Sequence, residues 1–415
     1  MSKRAMASWT ALLVVAALVT AGCAADPDPG SGELVWAATA PSEHADAIAA
    51  RWNQLHPNGP RVRVETLPDE QHQLMALELN AGLSELDILD VDVIWTAEFA
   101  QNGWLVDLEE LRPDIEQASL PVAVQTAMWD GRLWAAPGTT DAGLLYYRKD
   151  LVKSPPTTWE ELKDIGFQVG AERGIAPFVA DGAQHEGLVV QYLEYFWSAG
   201  GQVFDADDGS VLFPCGPALR AAEFMKDAYR EGFYAPGFNT MTLEDARETF
   251  QSGQAIFMRS WPYAYRRMNG PGADPNSQVV GNVGIAPLPT FAGSEPVTAL
   301  GGHNLAVSRF SDDVPAATEF VQFVSTSRDV QRELAERYSF APTLNAIYDD
   351  MSGHPMVDLL ATVLPKAKPR PATSEWATIS EEMQQQIYAA YTGDPDPAPE
   401  INALRTFLGA SNEDC

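Results

Sequence analysis

Past residue 32 the apolar positions switch repeatedly between two periods. "ELVWAA" is an apolar run of strand length, and "SEHADAIAARWNQLHP" repeats its apolar residues at helical spacing, with Ser42 placed to cap the start and Pro57 to end it. "RVRVETL" alternates as a strand does, and "DEQHQLMALELNAG" predicts a second helix closed by Gly82. "LDILDVDVIW" is a third strand, apolar with acids interspersed, and "TAEFAQNGW" after it is helical. Strand and helix in this succession predict βαβ units around a parallel sheet buried on both faces.

The middle third reads mostly as helix: "TTWEELKDIGFQVGAERG", "HEGLVVQYLEYFWSAGG", "GPALRAAEFMKDAYREG" and "TLEDARETFQSGQ", interrupted by short strands at "AIFMRSW" and "VGIAPLP". "TALGGHNLAVS" returns to strand character, and "VPAATEFVQFVSTSRDVQRELAERY" predicts one long helix capped by Asp312 or Asp313. The tail from Asn345 is helical again apart from "LPKAKPRPATSEW", and no internal repeat occurs. The pattern predicts an α/β chain of two lobes with more than one crossing between them. Residues 33–138 plus 296–344 are expected in the first lobe, 139–295 plus 345–415 in the second. Ligands of such open sheets bind at the carboxyl ends of strands, where the topology switches. Asp92 and Asp141 both fall at such ends.

The length of 415 residues fits two domains better than one, and a hydrophobic content of 46% with 11 tryptophans supplies their interiors. A formal net charge of −30 argues against nucleic acid as a partner, because phosphates need a basic face, and it suits a dispersed monomer. At the N-terminus Lys3 and Arg4 precede the apolar "ALLVVAALVT", which is too short to span a bilayer comfortably. Ala21 and Gly22 directly before Cys23 resemble a bacterial lipobox. That implies a signal peptide over 1–22, a lipid on Cys23 and a tether over 23–32, holding the body at the outer face of the cytoplasmic membrane. Cys215 and Cys415 then remain in an oxidising compartment, either as one disulfide pinning the tail or as two free thiols.

No phosphate-binding loop, Gly-x-Gly-x-x-Gly or Gly-x-Ser-x-Gly is present, and the histidines (His44, His56, His72, His185, His303, His354) show no metal-ligand spacing. No cofactor is expected, and no metal. What remains is carboxylates beside aromatics. A sugar presents hydroxyls round its rim and C–H groups on its faces, so acids grip the one and flat rings lie on the other. Asp141 after Thr139 and Thr140, Asp92 three residues before Trp95, and Trp261-Pro262-Tyr263 after a strand meet that demand. The lack of clustered Lys or Arg near them speaks against a phosphorylated ligand.

"LDILDVDVIWTAEFAQNGWLVDL", "LWAAPGTTDAGLLYYRKDLVKSPPTTWEEL", "FQSGQAIFMRSWPY", "VGIAPLP" and "GGHNLAVS" resemble segments of the extracellular sugar-binding lipoproteins of ABC importers. The likeness extends over nearly the whole mature chain and is nearest to the trehalose/maltose-binding branch, which includes a mycobacterial trehalose-recycling lipoprotein. The resemblance implies two α/β lobes that close on a hinge over a disaccharide, without chemistry, and pass it to permease subunits served by a separate ATPase. It implies sugar contacts from Glu43, Asp92, Asp141, Trp261, Tyr263, the backbone at Gly302, and Arg370. His303 and Thr139 stand where thermophilic members have tryptophan and tyrosine, which reduces the platform under one glucose ring. Asp141 is accordingly expected at the lobe junction, taking sugar hydroxyls or water. A secreted glycoside hydrolase, a scaffold lipoprotein with a vestigial cleft, and a binding protein for another small solute are the competing readings.

Overall fold

A computed structural model describes residues 32–39, 42–68, 71–205, 209–270, 272–393, 395–410 and 415. Cys23, the signal segment and the tether up to residue 31 lie outside these. β1 (Glu33–Thr39), α1 (Glu43–Leu55), β2 (Arg61–Leu67), α2 (Gln71–Ala81) and β3 (Ile88–Asp92) follow one another as the periodicity predicts. β1 pairs in parallel with both β2 and β3. Leu34, Trp36, Ile88 and Val91 point into a core shared with Trp52 of α1 and Phe320.

Seven further strands matter to the site: β4 (Ala136–Ala142), β5 (Leu144–Arg148), β6 (Ala176–Val179), β7 (Ala255–Ser260), β8 (Val283–Pro287), β9 (Thr298–Val307) and β10 (Ala367–Lys368). The first sheet runs β10-β9-β3-β1-β2, with β4 also paired to β9. It is mixed rather than parallel, because β9 runs antiparallel to β3 and to β4. The cause is the chain path. β4 ends where the chain leaves the first sheet at Gly143, and β9 begins beside that point and returns, so the two strands lie side by side in opposite senses. The second sheet runs β8-β5-β7-β6 and is also mixed, with β5 antiparallel to β7 and β8. Both faces of this sheet are covered. Leu145 of β5 packs with Trp159, Phe178 and Tyr195, while its neighbours Leu144 and Tyr146 pack with Met258, Phe250 and Val283, the alternation a strand imposes.

The helices depart from expectation in two places. Ser42 makes no capping hydrogen bond to α1, because its hydroxyl is taken by Thr66 Oγ1 at 2.5 Å. The single long helix after Asp313 is two. Asp313 caps Val314–Thr326 through Ala316 N, and extended Ser327 breaks the run and caps Arg328–Tyr338 through Val330 N. A serine that serves the next helix's first turn ends the previous one. Cys215, opening the helix Cys215–Arg230, is joined to Cys415 in a disulfide that spans 200 residues of sequence. No helix among the described residues is long and apolar enough to cross a membrane.

At the crossing, Gly143 N donates to Ala299 O at 3.2 Å and Gly143 O accepts from Thr298 Oγ1 at 2.7 Å. Glu194, on α3 (Glu186–Ser198), accepts from Ala299 N at 3.2 Å, and its Oε1 lies 3.3 Å from Thr298 Oγ1, whose one proton is shared with Gly143 O. A Cβ at Gly143 would collide with Glu194 Oε1 and would lie 2.5 Å from Arg259 Nη2 and 2.8 Å from Thr298 Oγ1. Gly143→Ala should therefore destabilise the chain by about 1–3 kcal/mol, the usual cost of overpacking. Urea denaturation followed by circular dichroism checks it, and an unchanged midpoint would show that the crossing has slack.

Candidate functional site

The sheet registers bring distant sequence together. Along β9, Gly301 pairs with Asp141, Gly302 with Thr140 and His303 with both Thr139 and Asp92. Gly302 has φ +117°, and a Cβ there would strike the backbone of Thr139 and Thr140. Only glycine lets β4 and β9 approach this closely. Gly301 faces both Trp261 and Asp141: a Cβ would sit 3.0 Å from the indole edge and 3.4 Å from Asp141 Cβ. Asp141 and Trp261, 120 residues apart, are thereby neighbours across one glycine.

Asp141 is 8% exposed, and its Oδ1 is buried without a hydrogen-bond partner. Burial is the chief reason its carboxyl is pushed up to about 7, opposed by the charge of His303 and reinforced by Asp92. An orphan acceptor of this kind is costly unless something else fills it. His303 faces three acids. Its Nδ1 is 3.4 Å from Asp90 Oδ1 and 3.5 Å from Thr39 Oγ1. Burial lowers its pKa, but Asp90, Asp92 and Asp141 outweigh that and raise it to about 9. Asp90 is held below the usual range although desolvation pushes it up, because His303, His44 and the Thr39 N–H together outweigh that burial. Thr139 accepts from His303 N at 3.3 Å.

Arg370 links β3 of the first sheet to the start of α3. It is 6% exposed, donates from Nη2 to Asp92 Oδ1 at 3.3 Å and from Nη1 to Glu186 Oε1 at 2.8 Å, and its Nε finds no partner. Glu186, the first residue of α3, also accepts from Trp376 Nε1 at 3.2 Å and from Ser380 Oγ. Trp261 is half-buried, with the Arg259 guanidinium 4.0 Å from its ring centroid. Arg259 is clamped by Glu194 through Nε at 2.9 Å and Nη2 at 2.7 Å.

Thr139, Asp141, Gly302 and His303 thus meet on paired strands with Asp92 and Trp261 beside them, and Arg370, just past β10, reaches Asp92. Tyr263 and Glu43 lie differently. The Tyr263 hydroxyl donates to Glu244. Exposed Glu43 lines a cavity of about 470 Å³ with Arg266, Arg267, Arg337 and Tyr338. This cavity groups three arginines around Glu43, and none of Asp92, Asp141, Trp261 and His303 lines it. Arg337 lies about 70 residues beyond the other two in sequence, so spacing could not reveal it. Trp95 packs against His72 and Phe99. No metal-holding group of three or more acids, histidines or cysteines occurs among the described residues.

Sequence reasoning missed Asp90, Glu186, Glu194 and Arg259. Asp90 was within reach, since positions two apart on a strand share a face and Asp92 was already singled out. Glu186, Glu194 and Arg259 lie in strings that read as ordinary helix and strand.

Residues 38–331 match the bacterial extracellular solute-binding protein family. A probable ABC transporter-binding protein of Deinococcus radiodurans is 32% identical over 372 residues, covering 85% of this chain and 86% of that protein. The chain belongs to the bacterial extracellular solute-binding proteins. The maltose-bound structure of T. maritima MalE3 superposes with a TM-score of 0.84 at 34% identity, covering 91% of this chain and 99% of that one. The GacH receptor of Streptomyces glaucescens has the same fold, with a TM-score of 0.80 at 23% identity, covering 91% and 99%. The mixed α/β architecture is thus the two-lobe periplasmic-binding-protein fold.

The two displaced pKa values give stability a pH slope of one sign. A histidine raised from 6.5 to about 9 stabilises the fold fully below 6.5 and loses that contribution as pH climbs to 9. An aspartate raised from 3.8 to about 7 penalises the fold increasingly over that lower interval. The melting temperature of the ligand-free protein should fall from pH 6.5 to 9, and His303→Gln should flatten the fall. Equal slopes for the two proteins would place the titration elsewhere.

Proposed function

We propose that this chain is the receptor of an ABC sugar importer and captures a glucose disaccharide, trehalose foremost, for delivery to permease subunits with a separate ATPase. The observation that carries the reading is the buried, unpartnered Oδ1 of Asp141 beside the half-open indole of Trp261. An ionised carboxylate only accepts, and sugar hydroxyls donate. Asp92, held by Arg370, offers a second acceptor, while His303 and the backbone at Gly302 border the same space. Glu43 and Tyr263 are read as further contacts reached when the lobes close, with Thr139 lining the floor. Closure would follow from a ligand that touches both lobes and so favours the state in which they meet.

The lobes are taken to divide as 33–138 plus 296–344 and 139–295 plus 345–415, the first crossing lying between Gly138 and Leu144. Cys23 is read as the lipidated N-terminus of the mature chain, tethered through residue 32 to the outer face of the cytoplasmic membrane, with the body acting as a monomer. Maltose or a related α-glucoside is the second ligand reading, favoured by the likeness to a maltose-bound structure. No covalent step belongs to this reading, which distinguishes it from a glycoside hydrolase with two carboxyls astride a glycosidic bond.

Calorimetry with trehalose, maltose, sucrose and glucose tests it, with trehalose expected tightest and no glucose released on prolonged incubation. Asp141→Ala should weaken disaccharide binding at least about tenfold, the scale of one charge-assisted hydrogen bond. Unchanged affinity would take Asp141 out of the site, and steady release of glucose would make the protein an enzyme.

A further inference from the structure

We propose that Glu194 and Arg259 are positioning residues for the ligand platform. They fix the plane of Trp261 and tie it to the strands that cross between the lobes. The inference rests on the reading of Trp261 as the surface under a sugar ring.

Glu194 and Arg259 are 0% and 2% exposed at their side chains. Removing two charges from water this completely is expensive, and apolar residues of similar size often serve a core as well or better. Their position suggests what the pair does instead. Arg259 is next to last in β7, two residues before Trp261, and both side chains lie on the side of the second sheet that holds Leu145 and Tyr195. The guanidinium plane meets the indole at 4.0 Å from the ring centroid. One face of the ring is thus occupied by a cation and the ring cannot turn toward it, which leaves the opposite face for a ligand. A guanidinium can keep that posture only if its own plane is held. Glu194 does so by accepting from Nε and Nη2 at 2.9 and 2.7 Å, the two-pronged geometry that lysine cannot reproduce.

The same carboxylate accepts from Ala299 N and lies 3.3 Å from Thr298 Oγ1, so it is tied to the strand as well as to Arg259. Thr298 and Ala299 begin the strand that returns to the first sheet, and both also bond to Gly143, where the chain first leaves it. A displacement of either crossing strand therefore moves Glu194, then Arg259, then the indole. The platform and the crossing share one rigid mount.

The test separates mounting from mere stability. Arg259→Met leaves Glu194 buried without its cation and should lower the melting temperature. The double variant Glu194→Gln, Arg259→Met removes both charges and should regain most of that loss. If the pair positions Trp261, trehalose affinity stays reduced by about tenfold or more in the double variant, as a lost desolvated cation–π contact implies. Arg259→Lys should be similarly weak. A crystal structure of the ligand-free double variant should then show the indole displaced from the edge of Gly301. Recovery of affinity together with stability, or an indole in its original place, would overturn the proposal. Should the wild-type protein bind none of the sugars, the sugar reading fails on its own, and the indole's position still decides whether the pair positions Trp261.

Discussion

A carboxyl group kept out of water at the seam between two sheets is the constraint on which the rest of this structure turns. Asp141 sits on the last strand before the chain leaves the first sheet, and burial is the chief cause that drives its pKa to about 7. Such a group stays ionised only if positive charge or donors surround it. His303 supplies part of the charge, and it can do so because three aspartates hold it protonated. The donors to Oδ1 are the missing element, and the function proposed above takes them from a ligand. On that proposal the acid is at once a cost to the fold and the group that a ligand satisfies.

The surrounding charges fall into two linked systems. One runs from Asp92 through Arg370 to Glu186, Trp376 and Ser380, and it joins the first sheet to α3 and to the helix that Trp376 opens. The other runs from Gly143 and Thr298 through Glu194 to Arg259 and Trp261. Both start from strands of the first sheet and reach elements packed on the second, and both include groups that the proposed function assigns to the ligand. A ligand that reorganises either one alters contacts on both sides of the seam together, which is what coupling between binding and closure requires.

Much of the fold was legible because period and punctuation agree locally. Pro57 and Gly82 stand where the first two helices end, and the order of strands and helices through β3 follows directly from their spacing. Strand direction was not legible, since nothing in "TALGGHNLAVS" says that it returns from another lobe. The break at Ser327 was concealed by apolar residues that keep helical spacing on both sides of it. In the site, Asp92, Asp141 and Trp261 stood out as acids and rings at strand ends. Their partners did not, because Glu194 and Arg259 lie 65 residues apart and meet only through packing. Pattern reveals which residues could bind, and tertiary structure decides which residues hold them in place.

The most direct test of the central claim is a crystal structure of the protein grown with trehalose. The account predicts one disaccharide between the lobes, a hydroxyl within hydrogen-bonding distance of Asp141 Oδ1 and a ring lying on Trp261. A sugar bound elsewhere, or one in the cleft with Asp141 Oδ1 still without a donor, would contradict it.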